Sequence, residues 1–418
     1  KMLSLSLVGM ISLLNSPSIA QGASNKPGTD VSDRGAGYII QDITGQRQNL
    51  FHSFSEFDTS SGQFVNFIVN SSITNVISRV TDSPTTINGA VTITSDGINL
   101  APGVNLFLLS PQGIRFGPNA ITNIDGAFVV STADALTFED GSRFSADTTA
   151  APTLTISTPV GLQMGNNPAP IEVSGINHNL PTFGFNSLGR GQNILLLGGN
   201  IDLIENSISV VGGRLQLAGL SEAGTISLSS RNGLLRAALP ESIVRSDISL
   251  SRGAQILASG PEESINVAAR HLTLSSEPGG TLNEQTAILS GALPGLLLPY
   301  QIGDVNIDAT GDVRLVDSNI YSAISIGATG RTGDINFKSR SLYLTDSSQI
   351  ATTGLGTGDS GDLNVEVEQN IFLDGKNSRP DRLTGLYSLL GDLTFGTGNG
   401  QAGDLTIQTN SLDVINGA

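Results

Sequence analysis

The sequence predicts an all-β fold, a single-stranded parallel β-helix, from three observations. A Gly-Asp step followed by alternating apolar residues recurs along the C-terminal third. Gly, Asp, Asn and Ser punctuate every short apolar pattern. No stripe of helical period and useful length competes with these patterns. Recurrence at this spacing marks a stacked repeat architecture.

The Gly-Asp steps read Gly303-Asp304-Val305-Asn306-Ile307, Gly333-Asp334-Ile335-Asn336-Phe337, Gly361-Asp362-Leu363-Asn364-Val365 and Gly403-Asp404-Leu405-Thr406-Ile407. Their starts lie 30, 28 and 42 residues apart. Apolar residues two apart give a strand with one buried face. A second pair follows at Val313/Leu315, Leu342/Leu344, Ile371/Leu373 and Leu412/Val414, and a third apolar stretch at Ile320 and Ile350. Each repeat is thus several strands and tight turns. Such strands bury their apolar side only when successive coils stack at strand spacing, roughly 4.8 Å. A sandwich would show hairpin signals. The Asn-Gly pairs at Asn88-Gly89, Asn232-Gly233, Asn399-Gly400 and Asn416-Gly417 lack flanking hairpin symmetry. A propeller would carry aromatic blade signatures, and this chain has no Trp and 5% aromatics.

Composition narrows the function. The net charge of −16 disfavours nucleic acid and anionic membrane surfaces, which require clustered Lys and Arg. The absence of Cys excludes disulfides, thiolate metal sites and thiol catalysis. It also suits a chain that crosses a compartment unfolded. Residues 1–20 read as a Sec signal peptide: Lys1 is the positive start, residues 3–14 are mostly apolar, and Ser18-Ile19-Ala20 is a small-x-small cleavage site. Lys1 precedes Met2 and the pattern stops at Ala418 within a repeat, so a longer natural chain is expected, its shaft truncated here.

No catalytic residue, cofactor or metal site is expected. Asp304, Asp334, Asp362 and Asp404 share one repeat position, where stacked like charges are better used at turns or on backbone N–H groups than as an acid/base pair. His52, His178 and His271 lie far apart without a second ligand nearby. Residues 356–363 are similar to one Gly/Asp calcium nonapeptide, without tandem copies. Two irregular stretches, residues 293–300 and 381–402, are expected to be loops on the shaft.

Residues 35–165 have a different texture. Asn49-Leu50-Phe51-His52-Ser53-Phe54-Ser55-Glu56-Phe57 is followed by Asn75-Val76-Ile77-Ser78-Arg79-Val80-Thr81 and Ile87-Asn88-Gly89. Val104-Asn105-Leu106-Phe107-Leu108-Leu109 then leads into Ser110-Pro111-Gln112-Gly113-Ile114. Pro111 and Gly113 bracket a tight turn between strand patterns. Phe51, Phe54 and Phe57 are read as an aromatic cluster capping the open N-terminal end of the solenoid, where a last coil would expose an unpaired edge.

In this order and spacing the segment resembles the N-terminal secretion domain of filamentous-haemagglutinin-type exoproteins, which use two-partner secretion, in the version common in cyanobacteria. Ser110 and Gln112 stand where that family usually has Asn in Asn-Pro-Asn-Gly-Ile. The family's Asn-Pro-Asn-Leu element has only Asn70-Ser71-Ser72-Ile73 as its nearest counterpart. The resemblance implies a right-handed β-helix, a Sec signal, and export through an outer-membrane β-barrel transporter. It divides the chain into a signal peptide (1–20), a secretion domain (21–165) and a β-helical shaft (166–418). It implies a secreted or cell-surface protein with an adhesin-like role in attachment, aggregation or biofilm, and a glycan or cell-surface receptor as further partner. A β-helical carbohydrate-active enzyme and a passive matrix protein are the alternatives.

Overall fold

A computed structural model describes residues 29–33, 37–42, 48–147, 155–175, 193–231, 233–260, 264–277, 285–292, 300–391 and 398–418. The expected signal peptide, His178 and residues 293–299 lie outside these. Among the described residues there is strand and turn but no helix. The fold is a parallel β-helix.

Three faces run along it. The first face begins with strands Asn49–Phe54, Asn75–Val80, Asn105–Leu109 and Ala127–Ser131, continues through Asn193–Gly198, Arg214–Gly219 and Ser264–Ala269, and reaches Val305–Ala309 and Ile335–Ser339. Every neighbouring pair is parallel. The second face runs in the same sense from Thr85–Ile87 and Ile114–Phe116 to Asp312–Val316 and Ser341–Thr345. The strand Leu363–Asp374 contributes to both faces. The third face is built in two parts: Gly37–Asp42, Phe64–Ile68, Ala90–Thr94 and Ile121–Asn123, then Ser207–Val211 through Gly385–Leu390. The strand Thr29–Asp33, paired antiparallel with Gly37–Asp42, lies at the N-terminal edge of this face.

Alternation sends one set of side chains inward from each face, and in-register pairing stacks them. Leu50, Val76, Leu106 and Phe128 form one column, continued by Ile194, Leu215, Ile265, Val305 and Ile335. Ile201, Ile248, Leu272, Val313 and Leu342 stack on the second face. Ile256, Ile288, Ile320 and Ile350 stack on the third. All join one elongated core. Burying each such side chain contributes about 1.5–3 kcal/mol.

The repeat signature now has a physical meaning at every position. A Cβ on Gly333 would lie 2.2 Å from the carbonyl oxygen of Gly303, and one on Gly361 2.4 Å from that of Gly333. The coils approach too closely there for any side chain. The following Asp reaches along the axis. Asp304 accepts the backbone N–H of Asp334 at 2.9 Å, Asp334 that of Asp362 at 2.9 Å, and Asp362 that of Asp404 at 2.8 Å. The apolar residues on either side of the Asn point inward. The outward Asn residues form a ladder: Asn306 donates to Asn266 at 3.2 Å, Asn336 to Asn306 at 3.0 Å, and Asn364 to Asn336 at 3.2 Å.

The 42-residue gap before Gly403 contains a folded-back loop. Arg379 and Arg382 from this loop reach the buried carboxylate of Asp317, Arg379 at 2.8 Å. Gln285 also donates to Asp317, at 2.9 Å. Loop and neighbouring coils are thereby tied across the corner between the second and third faces.

Gly361→Ala should destabilise the surrounding coils by about 1–3 kcal/mol, because the new methyl group has nowhere to go. Asp362→Ala should cost about 1 kcal/mol through loss of its bond to Asp404. Urea titration with amide-exchange readout over residues 333–367 checks both; an unchanged midpoint for Gly361→Ala would contradict the stacking geometry.

Candidate functional site

The N-terminal coils differ from the shaft in what covers their first face. Strands Asn75–Val80, Ala127–Ser131 and Asn193–Gly198 are buried along their entire length. A strand buried on both faces reads as an unbroken apolar run, as in the sequences of 106–109 and 194–197. The cover is a separate antiparallel sheet, in the order Arg143–Ser145, Ala135–Phe138, Pro159–Met164, Gly224–Arg231 and Leu234–Ala238.

A second core fills the space between them. Phe51, Ile77, Phe107, Val129 and Leu195 are one outward column of the first face. They pack against Leu136, Phe138, Phe144, Leu162 and Ile226 of the antiparallel sheet. The column then changes character: Gln216 follows Leu195, and Asn266 and Asn306 follow Gln216. Apolar residues therefore lie under the cover and amides beyond it.

Side chains from the solenoid fasten this sheet. Gln216 donates to the Ala237 carbonyl at 2.7 Å and accepts the Ala237 N–H at 3.1 Å, satisfying the edge strand. At the opposite edge Arg79 donates to the carbonyl of Ser145, donates to Ser53 Oγ at 2.9 Å, and lies 4.5 Å over the Phe144 ring. Arg79 is 4% exposed, and burial holds its guanidinium below its usual pKa. Asn49 bonds the carbonyls of Thr155 and Ser157 at 3.1 and 2.7 Å. Asn49, Asn75 and Asn105 themselves form an amide ladder with 2.8 Å steps. Arg245 reaches out of the module to Asp308 on the shaft at 2.6 Å.

Ser110-Pro111-Gln112-Gly113-Ile114 forms the turn from the first face to the second. The Gly113 N–H donates to the Ser110 carbonyl at 3.0 Å, and the Ser110 hydroxyl donates to the Gly113 carbonyl at 3.0 Å. Thr85 donates to Ser110 Oγ at 3.1 Å from the neighbouring coil. Gly113 has φ +117, which a β-branched residue adopts only under strain. Ser110, Gly113 and Ile114 are buried, Pro111 is half-buried, and Gln112 is exposed and bonded to the Thr81 carbonyl at 3.1 Å. Asn70-Ser71-Ser72-Ile73 makes a related turn, with Asn70 accepting Ser72 N–H at 2.9 Å and Ile73 buried.

The three Phe residues do not form one cluster. Phe51 faces outward to Phe138 and Phe144, at 5.7 and 5.0 Å between ring centroids. Phe54 and Phe57 face inward, 5.1 Å apart, where the solenoid core begins. The reason is the period of a strand: positions 51 and 54 differ by an odd number and point to opposite faces. A grouping of the three as one cap is corrected on that ground. Phe54 and Phe57 lie where the interior begins, beside His52 and Phe67.

The antiparallel sheet is what sequence reasoning missed. Its clearest signal is Asn232-Gly233. The strand ends Arg231 and Leu234 on its two sides pair antiparallel, and Gly233 has φ +79. The reading that this Asn-Gly lacks hairpin symmetry is corrected. The sheet also joins residues 159–164 to 224–231, on both sides of residue 165.

The remaining polar candidates serve the fold. His271 Nδ1 accepts the Asp312 N–H at 2.9 Å. Asp359 accepts the Gln401 N–H at 2.9 Å, so residues 356–363 are a stacked turn. Among the described residues no group of three or more His, Cys, Asp or Glu is arranged to hold a metal ion.

The family profile of the TPS secretion domain matches residues 17–268. The chain belongs to the TPS secretion domain family. It is thus a two-partner secretion exoprotein, of a class secreted through an outer-membrane transporter, and the family is a secretion module, not an enzyme family. The matched segment ends at the strand Ser264–Ala269, beyond the last strand of the antiparallel sheet. Among solved structures, the HMW1 secretion domain from Haemophilus influenzae is similar to this chain, with a TM-score of 0.41 and 17% identity, over 92% of this chain and 95% of that one. No curated protein matches.

Arg79→Ala should loosen the antiparallel sheet without unfolding the shaft. Amide exchange should accelerate over residues 135–145 and 159–164, at a cost of about 2–3 kcal/mol, and stay unchanged over 305–345. Unchanged protection of 135–145 would show that Arg79 does not hold the sheet.

Proposed function

We propose that the N-terminal module is the address read by the transporter and that the shaft acts outside the cell as an adhesin-like spacer without catalysis. The observation that carries this reading is the family match, which falls on the part of the chain whose first face is covered and whose sheet edges are fastened. Residues 1–20 act as the Sec signal peptide. The secretion domain runs from 21 beyond 165 to take in the paired strands Gly224–Arg231 and Leu234–Ala238 that complete its cover and the Arg245 tie, and the shaft follows. The turn at 110–114 acts through the fold of the module, since Ser110 and Ile114 are inside and only Pro111 and Gln112 reach outward.

The shaft's outward rows support the adhesin-like half of the proposal. Asn266, Asn306, Asn336 and Asn364 repeat one hydrogen-bonding group at every coil. Repeated weak contacts along such a row add up when the ligand is itself a repeating glycan or a cell surface. Retention at the surface, aggregation and biofilm formation belong to this same reading.

Deleting residues 21–165 should trap the remaining chain inside the cell when it is co-produced with a transporter that exports the intact chain. Export of the deletion at the intact level would reject the address. A glycan array probed with the secreted chain tests the second half, with binding expected and a blank array opposing it.

A further inference from the structure

We propose that the outward third face of the secretion module, headed by Ile98, is the surface that docks on the transporter. The proposal deepens the reading of the chain as a two-partner exoprotein and rests on it. In these coils the first face is occupied by the antiparallel sheet. The second face is charged, with Asp58 and the Arg115–Glu172 pair at 3.2 Å. The third face is different. Its outward edge column is Gly37, Phe64, Ala90 and Ile121, and the next two columns, Ile39–Asn66–Thr92–Asn123 and Ile68–Thr94, are uncharged and carry one isoleucine each. None of the edge column and neither of these isoleucines belongs to either core, and Ile121 is 43% exposed.

A loop built on this face presents Ile98. It is 86% exposed, more than any other large apolar side chain among the described residues. The exposure is imposed by the loop. Asp96 accepts the N–H of Ile98 at 2.9 Å, the N–H of Asn99 at 2.7 Å and the Asn99 side-chain amide at 2.7 Å. These N–H groups, Asn99 first, hold the Asp96 carboxyl below its usual pKa. Ser95 donates to the Asn99 carbonyl at 2.9 Å, and Thr94 bridges Leu100. Gly97 has φ +90 and sits against Ile68, its would-be Cβ 3.4 Å from Ile68 Cδ1, so the loop rests on this face through Ile68. Folding gains nothing from a bare isoleucine held in water. A partner with an apolar pocket gains its burial, and the ordering cost of the loop is met before the encounter. A pre-ordered apolar anchor ringed by backbone and amide groups is the make-up of a protein-docking hot spot. The one partner that family membership supplies is the transporter.

The test places a photo-crosslinking residue at position 98 in the full chain, co-produced with a transporter that exports the wild type. An adduct with the transporter is expected. Ile98→Ser combined with Ile121→Ser should slow export about tenfold, with the melting midpoint unchanged. Val316→Ser, at an apolar position on the shaft that is 39% exposed, should export as wild type. Wild-type export of the double variant, or an adduct only with lipid or a second copy of this chain, would overturn the proposal. If the double variant melts early, the crosslink alone decides. Failure of every transporter to export the wild type would instead remove the underlying reading, and the docking surface with it, before any variant is made.

Discussion

The structure depends on how closely one coil lies on the next. Parallel strands pair at a fixed spacing, so every side chain sits directly above its counterpart one coil earlier. That constraint selects residues at each position. Glycine stands where backbones touch, as at Gly333 and Gly361. Aliphatic residues stand where columns fill the interior, and asparagine where a side chain can bond to its own kind above and below. Carboxylates survive in stacked positions because each accepts a backbone N–H from the next coil. The same device serves both ends of the molecule, in Asn49–Asn75–Asn105 and in Asn266–Asn364.

Function enters through a change in one column. The outward position that holds Phe51, Ile77, Phe107, Val129 and Leu195 becomes Gln216 and then Asn. The apolar half recruits a second layer and becomes a module with two cores. The amide half stays bare and remains a shaft. Gln216 stands at the transition and does both jobs, continuing the column while bonding the last covering strand. Arg245 crosses the same boundary to Asp308, so module and shaft are stapled as well as continuous.

Local regularities were legible in the sequence, and long-range ones were not. The Gly-Asp steps announced the solenoid because each coil repeats the same local demands. The ordered segments at 49–57, 75–81 and 104–118 announced the secretion domain, and they stack as successive coils. The antiparallel sheet stayed hidden because its strands come from 135–164 and 224–238, far apart in the chain, and nothing local says they meet. Phe51, Phe54 and Phe57 look like one cluster when spacing is counted, yet a strand's two-residue period sends Phe51 to the other core. The run Leu106-Phe107-Leu108-Leu109 carried the missing clue, since a strand apolar on both sides needs two layers.

The claim that in-register stacking organises the chain is tested most directly by disulfide trapping, because the sequence has no cysteine of its own. Asn306→Cys with Asn336→Cys places two thiols on neighbouring coils, and Asn306→Cys with Asn364→Cys places them two coils apart. Neighbouring coils, at roughly 4.8 Å, fall within the span of a disulfide, and twice that spacing exceeds it. The account predicts rapid oxidation of the first pair and none of the second within one chain. A second pair that closes as readily as the first, or a first pair that never closes, would contradict it.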